Sequence, residues 1–107
     1  MAIHRITFFN IPNPDDIDVL VSEYRALKQE AKRDSKPYIL SVEAGRTLPD
    51  LRTQGYTLAV RTTFRNLDDM NFYDTECETH RRLKKVAAPR RQGDVFVAYF
   101  ADELGSA

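Results

Sequence analysis

The chain is poor in cysteine, in net charge and in long apolar runs, and each shortage closes off a class of function. Cys77 is the only cysteine in 107 residues, which leaves no internal disulfide and no all-cysteine zinc site and suits a reducing compartment. Sixteen Lys and Arg balance sixteen Asp and Glu, so bulk electrostatics draw it neither to nucleic acid nor to an anionic membrane. The start, MAIHRITFFNIPNPDD, lacks the apolar core of a signal peptide, and no later run approaches the ~18 apolar residues of a membrane span. These absences predict a soluble, cytoplasmic protein with no membrane or nucleic-acid partner. A chain of this length makes one domain, burying roughly two thirds of its unfolded surface and folding without metal or disulfide.

What is present is a clear alternation of periods. Residues 2–9, AIHRITFF, read as a strand with His4, Ile6 and Phe8 on one face and Ile3, Arg5, Thr7 and Phe9 on the other. In NPDD, Asn13 is a cap, Pro14 suits the first helical position, and Asp15 and Asp16 meet the positive end of the dipole. The helix that follows carries Ile17, Leu20, Val21, Tyr24, Leu27 and Ala31 at three-and-four spacing until Ser35-Lys36-Pro37 stops it. Strands are predicted at 38–45, 56–64 and 94–101, with a loop after Gly45. Asn66, three residues before Asp69, caps a second helical region whose stripe runs through Leu67, Met70, Tyr73, Cys77 and His80 and which Pro89 and Gly93 close.

The order β-α-β-β-α-β predicts an α+β, ferredoxin-like domain over residues 1–102, an antiparallel sheet with helices on one face, and a disordered tail at 103–107. Such a sheet has a second face, to which Thr7 and Phe9 are assigned, and its apolar content calls for a second protomer or a ligand.

At about 100° per residue, Tyr73, Cys77 and His80 share one stripe of a continuous helix. If His4, Ile6 and Phe8 face the helices, they meet Leu20, Val21 and Tyr24 on one side and Tyr73, Cys77 and His80 on the other. Two histidines and two tyrosines then share an apolar space suited to proton exchange with an oxygenated, aromatic-sized ligand. A plain structural reading stands beside this: hydrogen-bonded core histidines, core tyrosines with hydroxyls at the rim, and an inert buried Cys77. His4, Cys77 and His80 lack any zinc-ligand spacing, so no metal is expected. RNA-recognition modules are a rival for ITFFNIP and QGYTLAVR, but Gln54, Leu58 and Arg61 replace the basic and stacking residues of the second motif.

Four segments, IHRITFF, VEAGR with GYTLAVRTTF, NLDDMNFYDTECETHRRL and DVFVAYF, together resemble the stress-responsive dimeric A/B barrel (Dabb) family over nearly the whole chain. The resemblance implies a homodimer in which two sheets press together into an α/β barrel, with no cofactor. It also implies a pocket like that of a plant member that closes a poly-β-keto chain into an aromatic ring. His80 then matches the base, Tyr73 its catalytic partner, His4 the first-strand histidine, and Leu20, Val21 and Tyr24 the first-helix wall. Tyr73 and His80 stand one residue further apart than in that member, which turns a regular helix by about 100°. Pairing them requires a break near Asp74–Cys77. Leu20 and Val21 replace aromatic residues, implying a different substrate shape. A non-catalytic, ligand-holding dimer is the alternative.

Overall fold

A computed structural model describes residues 1–105. Its elements run β1 (Ile3–Phe9), α1 (Pro14–Glu30), β2 (Ile39–Arg46), β3 (Leu58–Phe64), α2 (Leu67–Thr75), α3 (Glu78–Ala87) and β4 (Phe96–Phe100), with a short 3₁₀ turn at Leu51–Thr53. The strands form one antiparallel sheet in the order β2-β3-β1-β4. This is the ferredoxin-like arrangement expected from the order of periods, with helices on one face only. The predicted tail at 103–107 extends past the described residues at 106 and 107.

Both expected caps form. The Asn13 side chain accepts from the Asp15 amide at 2.9 Å, and Asn66 accepts from the Asp69 amide at 2.8 Å, each satisfying one donor that a helix start leaves over. The buried Asp69 carboxylate then accepts from Arg33 at 2.8 Å, pinning the start of α2 to the turn after α1. Arg33 also lies 5.0 Å from the centre of the Phe72 ring.

The interior lies between the sheet and the helices. Leu58, Val60 and Phe64 of β3 and Phe9 of β1 meet Leu20, Tyr24 and Leu27 of α1 and Met70, Tyr73 and Leu83 from α2 and α3. Completely burying one such side chain contributes roughly 1.5–3 kcal/mol.

Two expectations are corrected here. The face of β1 that lies under the helices carries Ile3, Arg5, Thr7 and Phe9, all buried. His4, Ile6 and Phe8 lie on the open face, so they do not share a space with Tyr73, Cys77 and His80. Alternation defines two faces without saying which is covered. The covered one is fixed by contacts beyond the strand: Phe9 packs edge-on against Tyr24, with ring centres 6.3 Å apart, and Arg5 finds Asp74 of α2 at 2.6 Å. The second correction concerns the second helical region, which is two helices, interrupted at Glu76 and Cys77.

Candidate functional site

The interruption builds the site. α2 ends with the amides of Glu76 and Cys77 both bonded to the Phe72 carbonyl, at 2.8 and 3.0 Å. Cys77 takes extended backbone angles, and its own carbonyl accepts from the Arg81 amide at 2.9 Å to start α3. The last carbonyls of α2 are orphaned by this ending, and three side chains of α3 return to them. His80 Nδ1 reaches the Tyr73 carbonyl at 2.8 Å, Lys84 Nζ the Asp74 carbonyl at 3.2 Å, and an Arg81 guanidinium nitrogen the Thr75 carbonyl at 3.4 Å. The basic run after Cys77 is therefore partly a cap, beyond the solvated helix face its composition suggests.

A continuous helix would put Tyr73 and His80 on one stripe but about 10 Å apart along its axis; the break brings them together. Their rings stack with centres 3.6 Å apart and planes 9° from parallel, and both residues are buried. A carbonyl oxygen can only accept, so His80 Nδ1 carries the hydrogen and donates it. Burial is the chief cause that lowers the His80 pKa to about 4; the Tyr73 carbonyl opposes the shift, Lys84 and Arg5 add to it, and Asp74 opposes it. At neutral pH the ring is therefore uncharged, with its lone pair on Nε2. Burial likewise raises the Tyr73 hydroxyl pKa well above its ordinary value.

Arg5 completes the cluster. Its guanidinium lies 5.3 Å from the centre of the Tyr73 ring and bonds Asp74 through one nitrogen. It also opposes, by its charge, the rise that burial imposes on the Tyr24 hydroxyl pKa. Arg5 was not among the candidate site residues, because a basic residue in an alternating strand reads as solvent-facing. The available signal was its position between Ile3, Thr7 and Phe9, on the face that holds both strand ends.

The other candidates divide. Val21 and Tyr24 line a cavity of ≈ 200 Å³ between α1 and β2, with Val42 and Ala44, whereas Leu20 is fully buried in the core. Cys77 is buried at the α2–α3 break and makes no side-chain cap bond there. His4 lies over Phe100, ring centres 5.3 Å apart, with Nδ1 3.3 Å from the Thr63 hydroxyl. Ile6 lines a shallow open-face depression beside Glu43 and Arg61. Phe8 lines another, of ≈ 300 Å³, with Tyr56 and Phe96. None of the four main cavities among the described residues is lined by Tyr73, Cys77 or His80. Among the described residues no helix is long and apolar enough to cross a membrane.

Comparison with known proteins places this geometry in context. The family model described as "Stress responsive A/B Barrel Domain" matches residues 3–102. A Fusaristatin A biosynthesis cluster protein of Gibberella zeae is 38% identical over 84 residues, covering 78% of this chain and 61% of that protein, so the match spans about three fifths of the relative's length. A dimeric ferredoxin-like protein of unknown function from Thermobifida fusca superposes with a TM-score of 0.75 at 22% identity, covering 94% of this chain and 91% of its own. Hydroxynitrile lyase from Passiflora edulis does so with a TM-score of 0.75 at 21% identity, covering 95% and 94%. At such identities the two structures bear on the fold alone.

Proposed function

The chain belongs to the stress responsive A/B barrel family, and from that premise we propose that it is a homodimeric small-molecule protein of biosynthetic metabolism, with His80 as its acid/base. The observation that carries this reading is the tautomer of His80. A neutral imidazole, held by the Tyr73 carbonyl so that its basic Nε2 is the free nitrogen, is the protonation state that a general base needs before reaction. Tyr73, stacked on the ring, orients the substrate oxygen through its un-ionised hydroxyl.

The reaction class is proton abstraction next to a carbonyl in an oxygenated aromatic or polyketide-like compound. The C–H proton passes to Nε2, and the bonding pair becomes an enolate. In a cyclisation the enolate carbon attacks a second carbonyl carbon of the same chain, and the resulting alkoxide takes the proton back from His80. That attack closes the ring, loss of the new hydroxyl with a neighbouring proton as water and enolisation make it aromatic, and the imidazole is regenerated without a cofactor. The relative named for a biosynthesis cluster supports metabolism of this kind. Dimeric ferredoxin-like neighbours support assembly through the open face, where Phe96 and Phe100 are 49% and 53% exposed.

A second reading, a dimer that holds a ligand without converting it, draws on one observation: Tyr73 and His80 line none of the main cavities. Native mass spectrometry of protein gently purified from its host tests assembly and occupancy together. A dimer with a discrete small-molecule mass is expected, and a monomer at micromolar concentration would sink the barrel. Turnover of that compound, lost in His80→Ala, separates the enzyme from the holder; unchanged turnover removes His80 from the mechanism.

A further inference from the structure

Two polar groups on the helix-covered side of the sheet keep hydrogen-bonding capacity that no described residue uses. Arg5 is 8% exposed, yet its guanidinium has a single partner among the described residues, the Asp74 carboxylate at 2.6 Å through one nitrogen. Directly opposite on β3, in register with Arg5, is Thr62. Its side chain shares the covered face, it is 1% exposed, and its hydroxyl has no hydrogen-bond partner among the described residues. The Thr62 hydroxyl, buried and unpaired among the described residues, carries a desolvation cost, while the guanidinium nitrogens that Asp74 leaves over have no protein acceptor among those residues and keep some contact with solvent. An acceptor with several lone pairs would satisfy both, and a carboxylate or enolate matches the planar fork of an arginine best.

This inference rests on the reading above, that a small molecule enters the space beside Tyr73 and His80. We propose that Arg5, assisted by Thr62, binds an anionic oxygen of that molecule, so that the site selects acidic compounds, carboxylates or enolisable β-keto acids, over their neutral counterparts. Asp74, whose side chain is 36% exposed, neutralises Arg5 at the rim of the layer and shares it when the ligand binds. The Tyr73 ring lies between the two functions, 5.3 Å from the guanidinium and 3.6 Å from the imidazole, centre to centre. In this proposal a ligand held by Arg5 extends along the Tyr73 ring toward His80. When the C–H proton moves to His80 Nε2, the electron pair left behind settles on an oxygen that a fixed positive charge already faces, the kind of preorganised stabilisation that lowers a barrier to enolate formation.

The test uses the intact protein with two probes of one shape and different charge, para-hydroxybenzoate and para-hydroxybenzamide. Binding is followed by calorimetry and by the imidazole resonances of His80. The expected result is a preference of tenfold or more for the benzoate, kept in part by Arg5→Lys and abolished by Arg5→Met. Asp74→Asn, which frees Arg5 from its charged partner, is expected to tighten the benzoate several-fold and leave the benzamide unchanged. It decides the matter if Arg5→Met does not fold. Equal binding of the two probes, both moving the His80 resonances, overturns charge selection and leaves the site reading standing. Failure of both probes to reach His80 overturns the two together.

Discussion

The two faces of the sheet differ in which groups each leaves without a natural place. The covered face includes Arg5, Thr7 and Thr62 and meets a histidine; the open face presents Ile6, Phe8, Phe96 and Phe100, the last two about half exposed. The covered face is otherwise the apolar core, with Ile3, Phe9, Leu58, Val60 and Phe64, so what departs from an ordinary two-layer domain is the polar groups set within it and the aromatics left outside it. The difference shows where one copy of this chain leaves groups unmet, exposed aromatics on one face and the unpaired Thr62 hydroxyl on the other. On the proposed reading a second protomer covers the first and a substrate meets the second.

The contrast is broken most sharply by removing one aromatic from each face. Phe64 is fully buried against Tyr38 and Tyr73, so Phe64→Ala leaves a cavity and is expected to cost about 3–5 kcal/mol in urea unfolding. Phe100→Ala, on the open face, is expected to cost a small fraction of that in a dilute monomer. Equal losses would mean that the open face is already part of a folded core. Next in size is Asp74→Ala. It strands the Arg5 charge inside the covered layer, and uncompensated buried charges cost about 3–5 kcal/mol; the partial exposure of Asp74 brings the expected loss down to about 2 kcal/mol. Arg5→Met with Asp74→Ala should recover most of it, and a double-mutant cycle with no coupling would dismiss the pair as a surface contact.

The open face is tested by charge. Phe96→Asp places a carboxylate where a second sheet would pack and is expected to raise the dimer dissociation constant by roughly tenfold to a hundredfold, about 1.4–2.7 kcal/mol, in sedimentation experiments. An unchanged association would move the interface elsewhere.

Much of the architecture was legible in the sequence because local signals and tertiary demands agree there. Asn13 and Asn66 cap as their side chains dictate, and the strand periods give the element order. The candidate site was legible only in part. Tyr73 and His80 were singled out, and the extra residue between them, read as requiring a break near Asp74–Cys77, is accommodated by the break at Glu76 and Cys77. The face of β1 was read the wrong way round. Both faces of IHRITFF carry apolar residues, and the choice depends on Asp74, 69 positions away from Arg5 in the chain, receiving the arginine. No window of local sequence contains that contact, and for the same reason Thr62 gave no sign of its unpaired hydroxyl.

The smallest expected effect comes from proton linkage at His80, and it tests the covered face by pH alone. The folded-state pKa of about 4 lies below the usual 6.5, so the unfolded chain binds the proton first as pH falls. The stability that His80 contributes by staying neutral is complete above about pH 6.5 and is lost as pH drops toward about 4. Between about pH 7 and about pH 5.5 the loss should be about 1 kcal/mol, measured as a falling urea midpoint at constant slope. His80→Gln keeps a donor for the Tyr73 carbonyl and removes the titration, so its profile over that window should be flatter by the same amount. A slope that His80→Gln leaves unchanged would mean that the imidazole on α3 is solvated in solution, and the neutral base on which the proposed proton transfer depends would be lost with it.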